Sequence, residues 1–199
     1  MRLRLLTLST LIFVNLFVLG CKDSDDRDKK SIEIKEKKVK LPSKYTLQDG
    51  NKTVIIELND KQFKSNIDKP MILLNFFATW CPPCKAEIPH LVNIQKRYEK
   101  NIAIIGVLVE NLNHNKVNEF NKRYNINYFV SYNSDNMRLA NEVANMLHQP
   151  HNFSIPMMVF FVNGKYFRHY IGMVPEEMLE SDIKDALKLI NSSKKDGNV

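Results

Sequence analysis

Cysteine, glycine and tryptophan are scarce in this chain: three, six and one in 199 residues. Three cysteines cannot form a four-thiolate zinc site. No glycine-rich phosphate loop and no serine–histidine–acid set appears, so neither nucleotide binding nor serine-type hydrolysis is indicated. Lys and Arg (29) outnumber Asp and Glu (22), for a formal net charge of +7, yet no basic-aromatic pattern suggests nucleic-acid recognition. No internal repeat is visible.

What is present begins at the N-terminus. Arg2 and Arg4 precede an apolar run, Leu5–Leu19, that is short for a membrane span and interrupted by Thr7, Ser9, Thr10 and Asn15. This is the pattern of an export signal. It ends in VLGC, Val18–Cys21, which resembles a bacterial lipobox, although Leu19 stands where Ala or Ser is usual. Residues 1–20 are therefore expected to be a lipoprotein signal and Cys21 the lipidated residue. The alternative is a cysteine that happens to end an uncleaved anchor. In either case the rest of the chain is expected to be tethered to a membrane on the oxidising side, in the bacterial cell envelope. Lys22–Lys40 carries eight bases and six acids with almost no large apolar residue, so 21–43 reads as a lipidated cysteine and solvated linker. Residues 44–191 are enough for one domain with a core, and 192–199 (SSKKDGNV closes the chain) reads as a frayed, disordered tail.

Within the domain, Tyr45–Leu58 has two β-prone runs around Asp49-Gly50-Asn51, a hairpin signal. Asn59–Asp68 places Phe63 and Ile67 at helical spacing and predicts a short helix stopped by Pro70. Met71–Phe77 is continuously apolar, as a strand covered on both faces must be. A helix follows from Cys81, with Pro82 and Pro83 in its first turn, an apolar stripe through Ile88, Leu91, Val92 and Ile94, and Pro89 inside it. Ile102–Val109 predicts a strand, Lys116–Tyr124 a helix, Tyr128–Ser131 a short strand and Asn136–Leu147 a helix. Met157–Val162 predicts a strand turned at Asn163-Gly164 into Lys165–Ile171, and Pro175 opens a last helix, Glu176–Ile190. Strands alternating with helices imply an α/β domain with a mixed central sheet flanked by helices.

Cys81 and Cys84 lie at the end of the buried strand, in WCPPC. A pair two residues apart closes a tiny loop and makes a poor staple, so reactivity is the better reason for it; the bland alternative is an idle surface pair. A thiolate attacks a disulfide, so Cys81 is expected to be exposed and readily ionised at the helix N-terminus, with Cys84 turned inward to resolve the mixed disulfide.

NFFATWCPPC at the end of a strand, a helix behind it, and Ile155-Pro156 before a strand-turn-strand resemble the thioredoxin fold. CPPCKAEIP at Cys81–Pro89, the N-terminal hairpin, the strand-helix insertion at Asn111–Leu147 and the lipobox-like signal are similar to the membrane-tethered TlpA, ResA and CcmG branch. The resemblance implies a thiol–disulfide oxidoreductase needing no cofactor and no metal. It implies that Trp80, Pro82, Pro83, Ile155 and Pro156 line the substrate groove, and that Pro156 is the family's cis-proline; a proline merely starting a strand is the alternative. Thioredoxins carry a buried aspartate where this chain has Asn75, which cannot titrate. Glu87 matches the acidic residue of the ResA-like branch and is expected to take the Cys84 proton, with partial burial raising its pKa; the alternative is an ordinary exposed helix glutamate. Pro83 removes an amide donor from Cys81, and no histidine lies between the cysteines. Thioredoxin, with proline at the same third position, stands near about −270 mV, so a reductant is favoured.

The family further implies exported disulfide-containing proteins as partners, apocytochrome c foremost, electrons from a membrane donor of the CcdA or DsbD kind, and a monomer. A disulfide isomerase or oxidant is the rival within the class. A copper-binding chaperone using Cys81 and Cys84 is the rival outside it. Met157 and Met158 either reshape the groove or fill core. His148 and His151, flanking Pro150, read as loop residues, as do His90, His114 and His169, and Met137, Met146 and Met178 as core.

Overall fold

The computed structural model describes residues 43–149 and 152–196. Cys21, the charged segment after it, Pro150 and His151 lie outside the described residues. From Ser43 the chain forms an antiparallel hairpin of β1 (Ser43–Asp49) and β2 (Lys52–Asn59). Gly50 turns it at φ +57°, a conformation glycine adopts without strain. β3 (Gln62–Ser65) then runs antiparallel to β2. This corrects the helix expected at Asn59–Asp68. Phe63 is the one buried residue of β3, its ring stacks on Phe161 with centroids 4.5 Å apart, and its amide donates to the Gly164 carbonyl at 2.8 Å. A partner strand, absent from any local window, decides the conformation.

β4 (Met71–Phe77) is buried at all seven residues. α1 (Pro82–Arg97) continues through Pro89, and β5 (Ile102–Leu108) lies parallel to β4. α2 (His114–Arg123), β6 (Phe129–Ser131) and α3 (Asp135–Met146) form the insertion, with β6 parallel to β5. β7 (Met157–Val162) is antiparallel to β4, and β8 (Lys165–Ile171) folds back on β7. α4 (Glu176–Asp196) runs past the Ile190 end expected for it and takes in part of the stretch read as a tail. The eight strands make one mixed sheet in the order β1-β2-β3-β8-β7-β4-β5-β6.

Alternation along β4 divides the core. Leu73 and Phe77 pack with Leu91 and Ile94 of α1, Val117 of α2 and Leu179 and Ile183 of α4. Leu74 and Phe76 pack on the other face with Leu139 and Val143 of α3 and with Leu47 and Ile56 of the hairpin. The first turn of α3 and the end of β6 also reach β1. Asp135 Oδ2 accepts the Thr46 amide at 2.7 Å, Ser131 Oγ accepts the Gln48 amide at 3.3 Å, and the Tyr132 amide donates to the Gln48 carbonyl at 3.3 Å. The two outermost strands of the sheet thus meet. Met137 and Met178 are about half exposed and not core, because Met137 follows the buried Asn136 by one residue and Met178 precedes the buried Leu179 by one, which turns each off the inward stripe of its helix. Met146 packs at the edge of the hairpin-side core, while Met157 and Met158 are fully buried, Met157 in that core and Met158 in the one on the α1 side.

Candidate active site

β4 ends in Ala78 and Thr79, and the Thr79 amide donates to the Glu110 carboxylate beyond β5. Trp80 follows at 66% exposure. Cys81 is the N-cap of α1 with extended backbone (φ −80°, ψ 112°). Pro82 and Pro83 take the first two helical positions, where a missing N–H deprives no helical carbonyl of a donor. Cys84 is therefore the first residue of the helix able to donate, and its amide lies 3.3 Å from Cys81 Sγ.

Cys81 and Cys84 are joined as a disulfide with Cα atoms 5.3 Å apart. Against expectation Cys81 is only 3% exposed, and Cys84 1%. The Cys81 sulfur lies against the first helical turn. It lies 3.9 Å from the carbonyl oxygen of Ile155. The Ile155–Pro156 peptide bond is cis, and the Gly172 amide donates to the Pro156 carbonyl at 2.8 Å. Trp80, Pro82, Pro83, Ile155 and Pro156 thus converge on the disulfide from two separate parts of the chain.

Glu87 lies one turn beyond Cys84 and is fully buried, more completely than the sequence suggested. Its Oε1 accepts the Val174 amide at 2.9 Å, while Oε2 has no hydrogen-bond partner. Burial raises its pKa to about 7, and the Val174 amide works in the opposite direction. Asn75 is buried in β4 opposite Gly106 of β5. Neither Val174 nor Glu110 was singled out in the sequence, because nothing local ties either to WCPPC. The His90 ring rests 3.4 Å from the Val174 carbonyl, His114 bonds Tyr132 and Asn118, and His169 bonds Tyr166. Those three histidines lie in α1, α2 and β8 rather than in loops, whereas His148 turns the chain after α3 with φ +55°. Among the described residues no group of three or more His, Cys, Asp and Glu is placed to hold a metal ion. Nor is any described helix long and apolar enough to cross a membrane.

Known proteins agree with this geometry. The family profile described as Thioredoxin matches residues 54–133. The thiol-disulfide oxidoreductase ResA of Bacillus subtilis is 30% identical over 158 residues, spanning 77% of this chain and 75% of ResA. A solved structure of a putative thiol:disulfide interchange protein DsbE from Chlorobium tepidum superimposes with a TM-score of 0.54 at 20% identity, over 73% of this chain and 94% of that one. StoA from Bacillus subtilis superimposes with a TM-score of 0.51 at 19% identity, over 72% and 98%. These two likenesses concern the fold. With the ResA similarity, which spans most of both chains, they show that this chain belongs to the thioredoxin family, as a thiol–disulfide oxidoreductase of the ResA type bearing the Cys81–Cys84 pair.

Proposed function

We propose that the protein is a lipid-anchored, extracytoplasmic protein-disulfide reductase that acts as a monomer on exported proteins, with apocytochrome c as the leading substrate. The signal-like N-terminus and VLGC at Val18–Cys21 support the anchor, and the ResA similarity supports the substrate class. In the reduced enzyme the Cys81 thiolate attacks one sulfur of the substrate disulfide. The S–S bond breaks, and the departing substrate sulfur takes a proton from solvent. Glu87 accepts the proton of Cys84, whose sulfur then attacks Cys81 Sγ and expels the second substrate sulfur as a thiolate, which takes a proton from solvent. The substrate leaves as a dithiol and Cys81–Cys84 is left oxidised, to be reduced again by a membrane dithiol donor of the CcdA or DsbD kind. Trp80, Pro82, Pro83, Ile155 and Pro156 form the groove in which the substrate segment lies.

The observation that carries the reductase reading is the poverty of donors at Cys81. Of the two amides that a helix N-terminus aims at its N-cap side chain, the one at the second helical position is replaced by Pro83, leaving the Cys84 amide at 3.3 Å. A thiolate with little stabilisation favours the disulfide, and so a low potential. The test is the reduction potential of the full chain in detergent, equilibrated in thiol redox buffers with Trp80 fluorescence as the signal. A value well below about −230 mV is expected; a value near about −120 mV makes the protein an oxidant and removes the cytochrome assignment.

A further inference from the structure

Among the described residues, the buried polar atoms without a hydrogen-bond partner include Asn75 Oδ1, Glu87 Oε2 and the Tyr128 hydroxyl, all on the α1 side of the sheet. Such groups are costly unless they serve one another. Their placement is built in. Asn75 shares the face of Leu73 and Phe77, the face that carries Cys84. Its partner across the ladder is Gly106, and a Cβ there would lie 3.4 Å from Tyr128 Cε2 and 3.0 Å from the Phe77 ring. The missing side chain of Gly106 thus lets the Tyr128 ring lie over the strand beside Asn75. Burial, and secondarily the charge of Glu87, push the phenol above its ordinary value, so Tyr128 remains a neutral donor within reach of Glu87's field.

Other groups around Glu87 do not offer this. On α1, Cys84 is the reacting sulfur and His90 is turned to the Val174 carbonyl. The segment before α4 contributes the Val174 backbone, and β4 contributes the uncharged Asn75. On α4, Glu176 and Glu180 pair with Arg97, and Asp182 with Arg168 and Tyr170. We propose that Tyr128 is a positioning residue of the resolving step: its hydroxyl donates to the free oxygen of ionised Glu87 and sets the pH at which Glu87 takes the Cys84 proton. This rests on Glu87 being that proton acceptor. A donor to the carboxylate favours its charged form, so losing the hydroxyl raises the pH of ionisation.

The experiment follows the carboxyl carbon of Glu87 and the ring ζ carbon of Tyr128 by 13C NMR in the reduced full chain in detergent. Both signals are expected to move with one midpoint as pH rises. Y128F is expected to raise the Glu87 midpoint by about one pH unit, a tenfold change in ionisation, and to carry the pH profile of exchange with a disulfide peptide the same distance. In an E87Q background Y128F should leave the profile where E87Q puts it. A Tyr128 signal that stays flat through the Glu87 transition overturns the proposal, and does so in the wild-type chain even if Y128F does not fold. An unmoved midpoint in folded Y128F overturns it as well. If E87Q itself leaves the exchange profile intact, the proton-acceptor reading of Glu87 falls; if E87Q removes the step and Y128F leaves it unmoved, Tyr128 alone is dismissed.

Discussion

Glu87 occupies a place that favours its neutral form, and folding and ionisation therefore compete. Its pKa rises from 4.5 to about 7, chiefly through burial. An acid whose folded pKa is raised binds its proton more tightly when folded. Its folded form is accordingly at no disadvantage below 4.5, and stability is lost as pH climbs from there to about 7. A shift of this size is worth about 3 kcal/mol once complete. E87Q keeps an oxygen for the Val174 amide without a titrating group. Urea unfolding of oxidised E87Q and wild type is expected to give similar stabilities in acid, with a gap opening in favour of E87Q up to neutrality. A gap independent of pH would contradict the burial account. Glu87 was legible in the sequence because it lies one helical turn from Cys84. Tyr128 was not, since only the register of β4 and β5, and the space at Gly106, bring it to that turn.

Elements, likewise, were legible where their own residues determine them. Continuous apolar runs predicted β4, β5 and β7, and two prolines after Cys81 predicted the start of α1. β3 was missed because four residues with a single buried side chain hold no periodicity, and its conformation comes from β2 and the turn after β7. That turn has Asn163 and Gly164 at φ +48° and +72°, and a Cβ on Gly164 would come within 2.7 Å of the Phe63 carbonyl oxygen. G164A meets both backbone strain and that clash. It is expected to destabilise by about 2 kcal/mol, read as a lower urea midpoint at unchanged slope. Disulfide exchange by the folded protein should be unaltered, because Gly164 lies at the opposite end of β7 and β8 from Pro156. A midpoint equal to wild type would mean that β3 is not fastened at this turn.

On the scale of the whole molecule, the hairpin does more than cover one face of the sheet. Asp135 receives the Thr46 amide and pairs with Arg138 at 3.0 Å, while Arg138 also reaches the Lys44 carbonyl at 2.8 Å. Burial opposes ionisation of Asp135, but the Thr46 amide and the Arg138 guanidinium outweigh it and hold its pKa below 3.8. A depressed carboxyl contributes stability above its unfolded value and loses it as pH falls through its folded one. D135A is therefore expected to cost about 1 kcal/mol at neutral pH, with the difference from wild type vanishing in strong acid. Equal loss at both extremes would place the effect in α3 packing and not in the carboxylate. Because β1 and β6 face each other through Gln48, Ser131 and Tyr132, neither outermost backbone edge is offered to a second molecule as a template for strand addition. Domains that meet at high local concentration thus find no open backbone edge on one another, and this mutual sealing lets such encounters end without aggregation.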